Sequence, residues 1–346
     1  MVSNLTMNNL FKILLVIALL AFSTCVFAQN KEYITQLIDR GVALNDSGKY
    51  VEAIAKYSEV LKLDSNNQRA DYELAYTLFS SDHEKDAIPY LEKVVKLNPN
   101  SAGAFDMLGS IYDDEKNGDK AIEYYLQGIK ADPDYQRLHF NLAIAYFRQG
   151  KNAEAEACAI DAIKLDPKHA SSQRIYALAT YAQGKRGESL LGWCSFLLLE
   201  PQTQRSAEAY HYVKKIINYG IKKTGETSVT LSVNPKDTAG ANFLMPMTIL
   251  AATSDKKNLS PVDSLSLQIK SLFDISESFG SKKEDTFYKS FYAGYFKNLA
   301  AAGDVPAFAR FISISAYPDD NLQWFKDNDA QLKALDLWIR TTERKF

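Results

Sequence analysis

The sequence has almost no net charge, few cysteines and, after its first 28 residues, no apolar run approaching the roughly 20 residues of a membrane span. Lysine and arginine total 40 against 42 acidic residues, a formal net charge of −2. General attraction to nucleic acid or anionic lipid therefore has no support, and any electrostatic recognition must be local. Beyond Cys25 only Cys158 and Cys194 remain, too few for a disulfide framework. Each lies among apolar neighbours in a predicted helix and reads as a small buried hydrophobe, although a bridge is permitted in an oxidising compartment.

Catalytic and cofactor motifs are missing as well. His83, His139, His169 and His211 are scattered without metal-ligand spacing. "GIKKTGET" at 220–227 has the glycine spacing of a phosphate-binding loop but places Glu226 where the phosphate-contacting lysine belongs. "GESLLG" at 187–192 lacks the glycine spacing of a nucleophile elbow. Asp113, Asp114 and Glu115 read as a solvated helix end rather than acid/base machinery. The expectation is a protein without catalytic residues, metal or cofactor.

What is present begins with Lys12 followed by the apolar run Ile13 to Phe22, then small or apolar Val26 and Ala28 before Gln29. This is the pattern of a secretory signal peptide, 1–28, with cleavage after Ala28 and a periplasmic or secreted product. A lipoprotein acylated at Cys25 is the competing reading. Phe22-Ser23-Thr24 lacks the leucine and small residue usual before such a cysteine.

One pattern then recurs: "EAIAKYSEVLKLDSN" from Glu52, "DAIPYLEKVVKLNPN" from Asp86, "KAIEYYLQGIKADPDY" from Lys120, "EAEACAIDAIKLDPK" from Glu154 and "ESLLGWCSFLLLEPQ" from Glu188, each start 34 residues after the last. Pro99, Pro133, Pro167 and Pro201 keep the same step, with Ser65 in the first copy. A second stretch in each copy places Gly41, Ala75, Gly109, Ala143 and Ala177 at one position, where a small side chain lets two helices approach closely. Gly48, Gly118, Gly150 and Gly184 are expected at the turns, with positive φ. A strict period of this length means stacked supersecondary units, and Ala121, Tyr125 and Ile129 form the apolar stripe of one stacking helix.

On these residues the chain resembles tetratricopeptide-repeat proteins, with units at 34–67, 68–101, 102–135, 136–169 and 170–203 inside an array spanning 29–203. Arg40, Ser189 and Phe196 depart from the pattern in the end units, as in capping repeats. The resemblance implies an all-α fold, a right-handed superhelix of about five helix-turn-helix units, whose first helices line a concave surface used to hold a peptide or partner helix. Carried over by position, the partner-facing residues are Arg69, Tyr72, Tyr76, Phe79, Asp106, Asp113, Arg137, Phe140, Phe147, Arg148, Arg174 and Tyr181. Several of these aromatics also suit packing between repeats. Family members that grip a chaperone's C-terminal carboxylate need Lys and Asn where this chain has Ile38 and Val42, so that activity is not expected.

After Pro201 the period fails. Residues 204–224 read as a helix capping the array, 225–239 as an extended linker containing the alternating "SVTLSV", and 240–346 as a helical C-terminal domain. Asp304 before Val305-Pro306 fits a helix cap. Phe287, Tyr288, Phe291, Tyr292, Tyr295 and Phe296 form a broad aromatic stripe, read as core with an exposed sugar or protein platform as the alternative. The expected role is an exported scaffold that binds a protein or peptide through the repeats, with the C-terminal domain as a second docking or oligomerisation surface. The alternative is a C-terminal domain that binds or processes a small envelope ligand such as a glycan, positioned by the repeats.

Overall fold

The 34-residue period reappears as helix boundaries in a computed structural model of the chain, which describes residues 30–224, 229–232, 241–280 and 287–344. The signal-peptide residues and the Cys25 alternative lie outside that range. The chain divides at Pro133/Asp134 into two compact units.

The first unit contains α1 (30–46), α2 (Tyr50–Leu63), α3 (Gln68–Ser80), α4 (Glu84–Leu97), α5 (Ala102–Asp114) and α6 (Gly118–Ala131). These are three consecutive pairs, each second helix also packing on the first helix of the next pair. Burial explains the small positions directly. A Cβ added to Gly41 would lie 2.5 Å from the Tyr57 ring, and one added to Gly109 would lie 2.3 Å from the Tyr125 ring. In the second repeat the same two places hold Ala75 and Leu91, both buried. The glycines thus accompany the tyrosines: a flat ring occupies the volume that a methyl takes elsewhere.

The helices stop for a local reason. Asn98 and Asp132 stand immediately before Pro99 and Pro133 and take ψ of 88° and 96°, the extended conformation that a following proline imposes. Asp64 reaches ψ 92° without a proline. Its carboxylate accepts the Asn66 backbone N–H at 3.2 Å, an Asx turn doing the same task. Asn67 then caps α3 by accepting the Ala70 N–H at 3.0 Å.

One turn expectation is corrected. Gly48, Gly150 and Gly184 have φ of 72°, 73° and 76°, but Gly118 is the first residue of α6. The left-handed position keeps the 34-residue step, so Asp82 (φ 60°) and Lys116 (φ 62°) occupy it in the second and third repeats.

The second unit begins with α7 (Gln136–Arg148), α8 (Asn152–Leu165), α9 (Ala170–Ala182) and α10 (Arg186–Leu199). α11 (Gln204–Ile217) starts 34 residues after α9 and carries a capping box between Thr203 and Ser206. The segment expected as an extended linker contains β2 (Val229–Leu231), which pairs antiparallel with β1 (Ile221–Lys223) through Ile221 opposite Leu231. The remainder of 225–239 lies outside the described residues apart from Ser232.

Then follow α12 (Ala241–Thr253), α13 (Pro261–Asp274), a π-helical turn Tyr288–Ala293, α14 (Gly294–Ala302), α15 (Val305–Ile312), α16 (Pro318–Asp327) and α17 (Asp329–Thr341). Ser260 caps α13, accepting the Asp263 N–H at 3.0 Å, with Pro261 in the first turn. Asp304 stands before α15 as expected but makes no capping hydrogen bond, and burial pushes its carboxyl pKa up. One hydrophobic core runs from Ala143 in the fourth repeat to Leu335 in α17. α10 is apolar around most of its circumference, and Leu190, Leu191, Trp193, Cys194, Phe196 and Leu197 are all fully buried.

Two stability measurements check this account. Gly109→Ala is expected to lower the unfolding free energy by about 1–3 kcal/mol. Adding Tyr125→Leu, which recreates the Ala75 and Leu91 pair, should recover part of that loss, with a coupling of about 0.5–3 kcal/mol in a denaturant double-mutant cycle. Lys116→Gly should instead raise stability, by up to about 1 kcal/mol, because glycine adopts the left-handed conformation without steric cost.

Candidate functional site

In the first unit, Arg69, Tyr72, Tyr76 and Phe79 follow one another at helical spacing along α3. Their surroundings differ. Tyr76 is 43% exposed, the most open of the three aromatics, whereas Tyr72 and Phe79 are half-buried. Tyr72 lies against α5: a Cβ added to Gly103 would stand 2.6 Å from its hydroxyl. Arg69 is exposed, and its guanidinium donates to Asp39 on α1 at 2.9 Å. A cleft of about 310 Å³ opens beside this stripe, lined by Gln68, Arg69, Tyr72, Val94, Asn98 and Ser101. Asp106 is withdrawn, only 2% exposed, and Asp113 is half-buried.

A larger cleft of about 530 Å³ involves Ser58, Leu61, Tyr90 and Lys93. Its buried acid, Asp71, has a carboxylate oxygen 2.7 Å from the Lys93 ammonium. That ion pair closes the second helix onto its neighbour and offers no free acid for proton transfer.

In the second unit the corresponding residues lie on α7 and α9. Arg137 and Arg148 are exposed, and Phe140 and Phe147 are half-buried. Phe140 meets His169 edge-on with ring centroids 4.8 Å apart. Gln136 joins the same cluster, 3.0 Å from the His169 ring nitrogen and 3.1 Å from the Ser172 hydroxyl. Burial lowers the His169 pKa, which keeps the ring neutral within this cluster. Arg174 donates to Glu208 on α11 at 2.8 Å. Tyr181 packs edge-on against Tyr212 at 5.1 Å, with the Lys215 ammonium 5.3 Å from its ring.

The residues expected to face a partner therefore fall into two patches, one in each unit. Two of their arginines already tie one first helix to the next. Asp39, Glu208 and Tyr212 are partners that equal positions in the repeats do not reveal one at a time. Residue 208 is 34 residues after 174, so for that pair the repeat step is the available signal, whereas Asp39 and Tyr212 stand one helical turn away from the equal places of Arg69 and Tyr181.

The aromatic stripe of the C-terminal region is core. Tyr288, Phe291, Tyr292 and Phe296 are fully buried, Phe287 and Tyr295 nearly so. The stripe accordingly supplies no surface platform for a sugar. Tyr292 stacks on Tyr176 of α9 at 4.9 Å and donates its hydroxyl to Gln173 at 2.6 Å, joining the C-terminal helices to the fifth repeat. Cys158 and Cys194 are both free thiols, and burial pushes the Cys158 pKa up to about 12. Among the described residues no group of three His, Cys, Asp or Glu side chains is placed to hold a metal ion, and no helix is long and apolar enough to cross a membrane.

The tetratricopeptide-repeat family profile matches residues 44–111 and 114–179. Among solved structures, one of MamA is 26% identical, covering 49% of this chain and 96% of its own, at a TM-score of 0.44. The structure of YrrB, described as a repeat protein of this type with an unusual peptide-binding site, is 20% identical over 55% of this chain and 97% of its own, at a TM-score of 0.46. The first such domain of Spaghetti (RPAP3), bound to an HSP90 peptide, is 30% identical over 34% of this chain and 92% of its own, at a TM-score of 0.33. No curated protein matches the chain.

Glu73 provides a measurable handle on the α3 face. Burial raises its pKa, reinforced by Asp46 and opposed by Arg69. A raised folded-state pKa means that the group's stabilising contribution is complete below the unfolded pKa and is lost as pH rises through the folded value. Glu73→Gln should therefore gain thermal stability relative to the parent at neutral pH, and the difference should shrink as pH falls below the ordinary carboxyl value of 4.5. Thermal melts across that range read it directly.

Proposed function

Because the chain carries tetratricopeptide repeats over residues 44–111 and 114–179, we propose that it is a non-enzymatic scaffold that binds a protein or peptide through the face of its first helices. The observation that carries this reading is the α3 stripe. Tyr76 stands open to solvent between half-buried Tyr72 and Phe79, and on the same helix Arg69 and Tyr72 line a 310 Å³ cleft. A half-desolvated aromatic row edged by arginine suits an interface anchor, because it combines large apolar area with directional contacts at low entropic cost. The Arg69–Asp39 ion pair holds the arginine in place, and its planar guanidinium retains further donors for a peptide carbonyl or carboxylate.

The envelope location is part of the same proposal and rests on the Ile13 to Phe22 apolar run with Val26 and Ala28 after it. The partner is accordingly an envelope protein or peptide of mixed charge, since the whole chain carries only −2.

A photo-crosslinking amino acid at Tyr76, compared with one at exposed Leu126 on α6, tests the reading in cells. Crosslinks from position 76 and not from 126 are the expected result, and crosslinks from a probe at Phe79 in the parent should be lost when Tyr76→Ala and Arg148→Ala are made together. Both variants should melt within about 1 kcal/mol of the parent, because each replaces an exposed side chain. Equal labelling from 76 and 126, or loss of folding, overturns it.

A further inference from the structure

The last described residue is an arginine whose head group lies inside the protein. Arg344 follows α17, and its guanidinium carbon stands 4.2 Å from the Tyr295 ring centroid, 4.9 Å from Phe291, 5.6 Å from Phe296 and 5.9 Å from Tyr292. One of its nitrogens donates to the Ser195 hydroxyl of α10 at 2.7 Å. Among the described residues no carboxylate pairs with it. Buried arginines ordinarily require an acid, because removing the cation from water is costly and a counter-charge offsets that cost. Here aromatic faces and the hydroxyls of Ser195 and Tyr295 take that role, which is the composition of a cation-recognition cage rather than of a structural ion pair.

Among the described residues, few other contacts tie the segment after α17 to the core. Glu343 is exposed, Thr342 donates its N–H only to Trp338 at the end of α17, and Arg340 is paired with Asp336 on the same helix. The walls of the cage are fixed independently of the tail: Tyr292 is stacked on Tyr176 and bonded to Gln173, Tyr295 lies 4.6 Å from Trp338, and Phe296 lies 4.7 Å from Phe273. Ring walls braced by their own neighbours and filled by one side chain from the segment after α17 have the geometry of a site occupied in cis.

We propose that Ser195, Phe291, Tyr292, Tyr295 and Phe296 form an arginine-binding cage, filled by Arg344 in the free protein and open to an arginine of another peptide when the C-terminal residues leave. The site favours guanidinium over ammonium. A planar, weakly hydrated cation stacks on rings, while a lysine head group keeps its water and presents no flat face. Arg344 then acts as a competitor tethered at high effective concentration, so an external arginine peptide binds only when its affinity, or removal of the tail, overcomes that tether.

The test uses the chain ending at Thr341 and a synthetic peptide of residues 342–346, TERKF. Titration by calorimetry should show saturable 1:1 binding to the shortened chain, about tenfold or more weaker when the peptide's arginine is replaced by lysine, and no binding to the full chain. A shortened chain that melts cooperatively yet fails to bind, or that binds both peptides equally, overturns the proposal. The full chain gives an independent reading that does not require the shortened one to fold. Carboxypeptidase release of Arg344 should be accelerated about threefold or more by excess acetyl-arginine methylamide, which traps the open cage, and not by acetyl-lysine methylamide. Release unaffected by the arginine compound overturns it as well. Neither measurement involves α3, so these outcomes are separate from those for the Tyr76 face.

Discussion

Close approach of the two helices within each repeat is the constraint on which the rest of the structure depends. At 41, 75, 109, 143 and 177 the chain has glycine or alanine, and sixteen residues later it presents Tyr57, Leu91, Tyr125, Ala159 and Trp193. All five of these later side chains are buried. In the first three repeats the two places exchange volume, glycine meeting tyrosine and alanine meeting leucine, whereas the fourth pairs Ala143 with Ala159 and the fifth sets Ala177 against the backbone of Gly192. Turn position, helix length and the extended residue before each proline follow from keeping that contact at the same place in every copy.

Much of this was legible in the sequence because each piece of the signal is local. The proline step, the small position and the apolar stripe of α6 each depend on residues within one repeat, and they agree with one another. Glycine identity does not mark the turn in the third repeat, where Gly118 opens α6. The backbone instead keeps the period and accepts Asp82 and Lys116 in left-handed conformations. The candidate site was less readable. Whether Arg69 or Arg174 is open depends on Asp39 and Glu208, which lie on neighbouring helices, and the withdrawal of Asp106 depends on burial that single-position comparison does not register.

The first-helix faces combine two demands that a sequence pattern does not separate. Side chains there must brace one helix against the next, as the Gln136, His169 and Ser172 cluster does, and some must remain available to a partner. Arg174 and Arg69 brace; Tyr76 does not. An aromatic left open where its neighbours are committed costs solvation of an apolar ring, and a partner surface that covers it recovers that cost. This is why exposure of one tyrosine carries more functional weight than the larger number of aromatic residues around it.

The end of the array follows from the same constraint. α11 starts one full period after α9, yet its sequence no longer fits the repeat: His211 stands where Gly41, Ala75, Gly109, Ala143 and Ala177 stood before. His211 is exposed. The small residue is required only where a second helix crosses, and after α11 the chain enters the β1/β2 pair instead of forming that helix. Periodicity therefore persists in the backbone after it has disappeared from the side chains. The apolar face that a further repeat would have covered on α10 is buried by the C-terminal helices, and this is why the fifth repeat can carry Trp193, Phe196 and Leu197 together without exposing them. A polar cap would have closed the array at lower cost in chain length. Closing it with an aromatic core instead creates a setting in which Arg344, without a carboxylate partner among the described residues, is held by ring faces alongside the hydroxyl of α10.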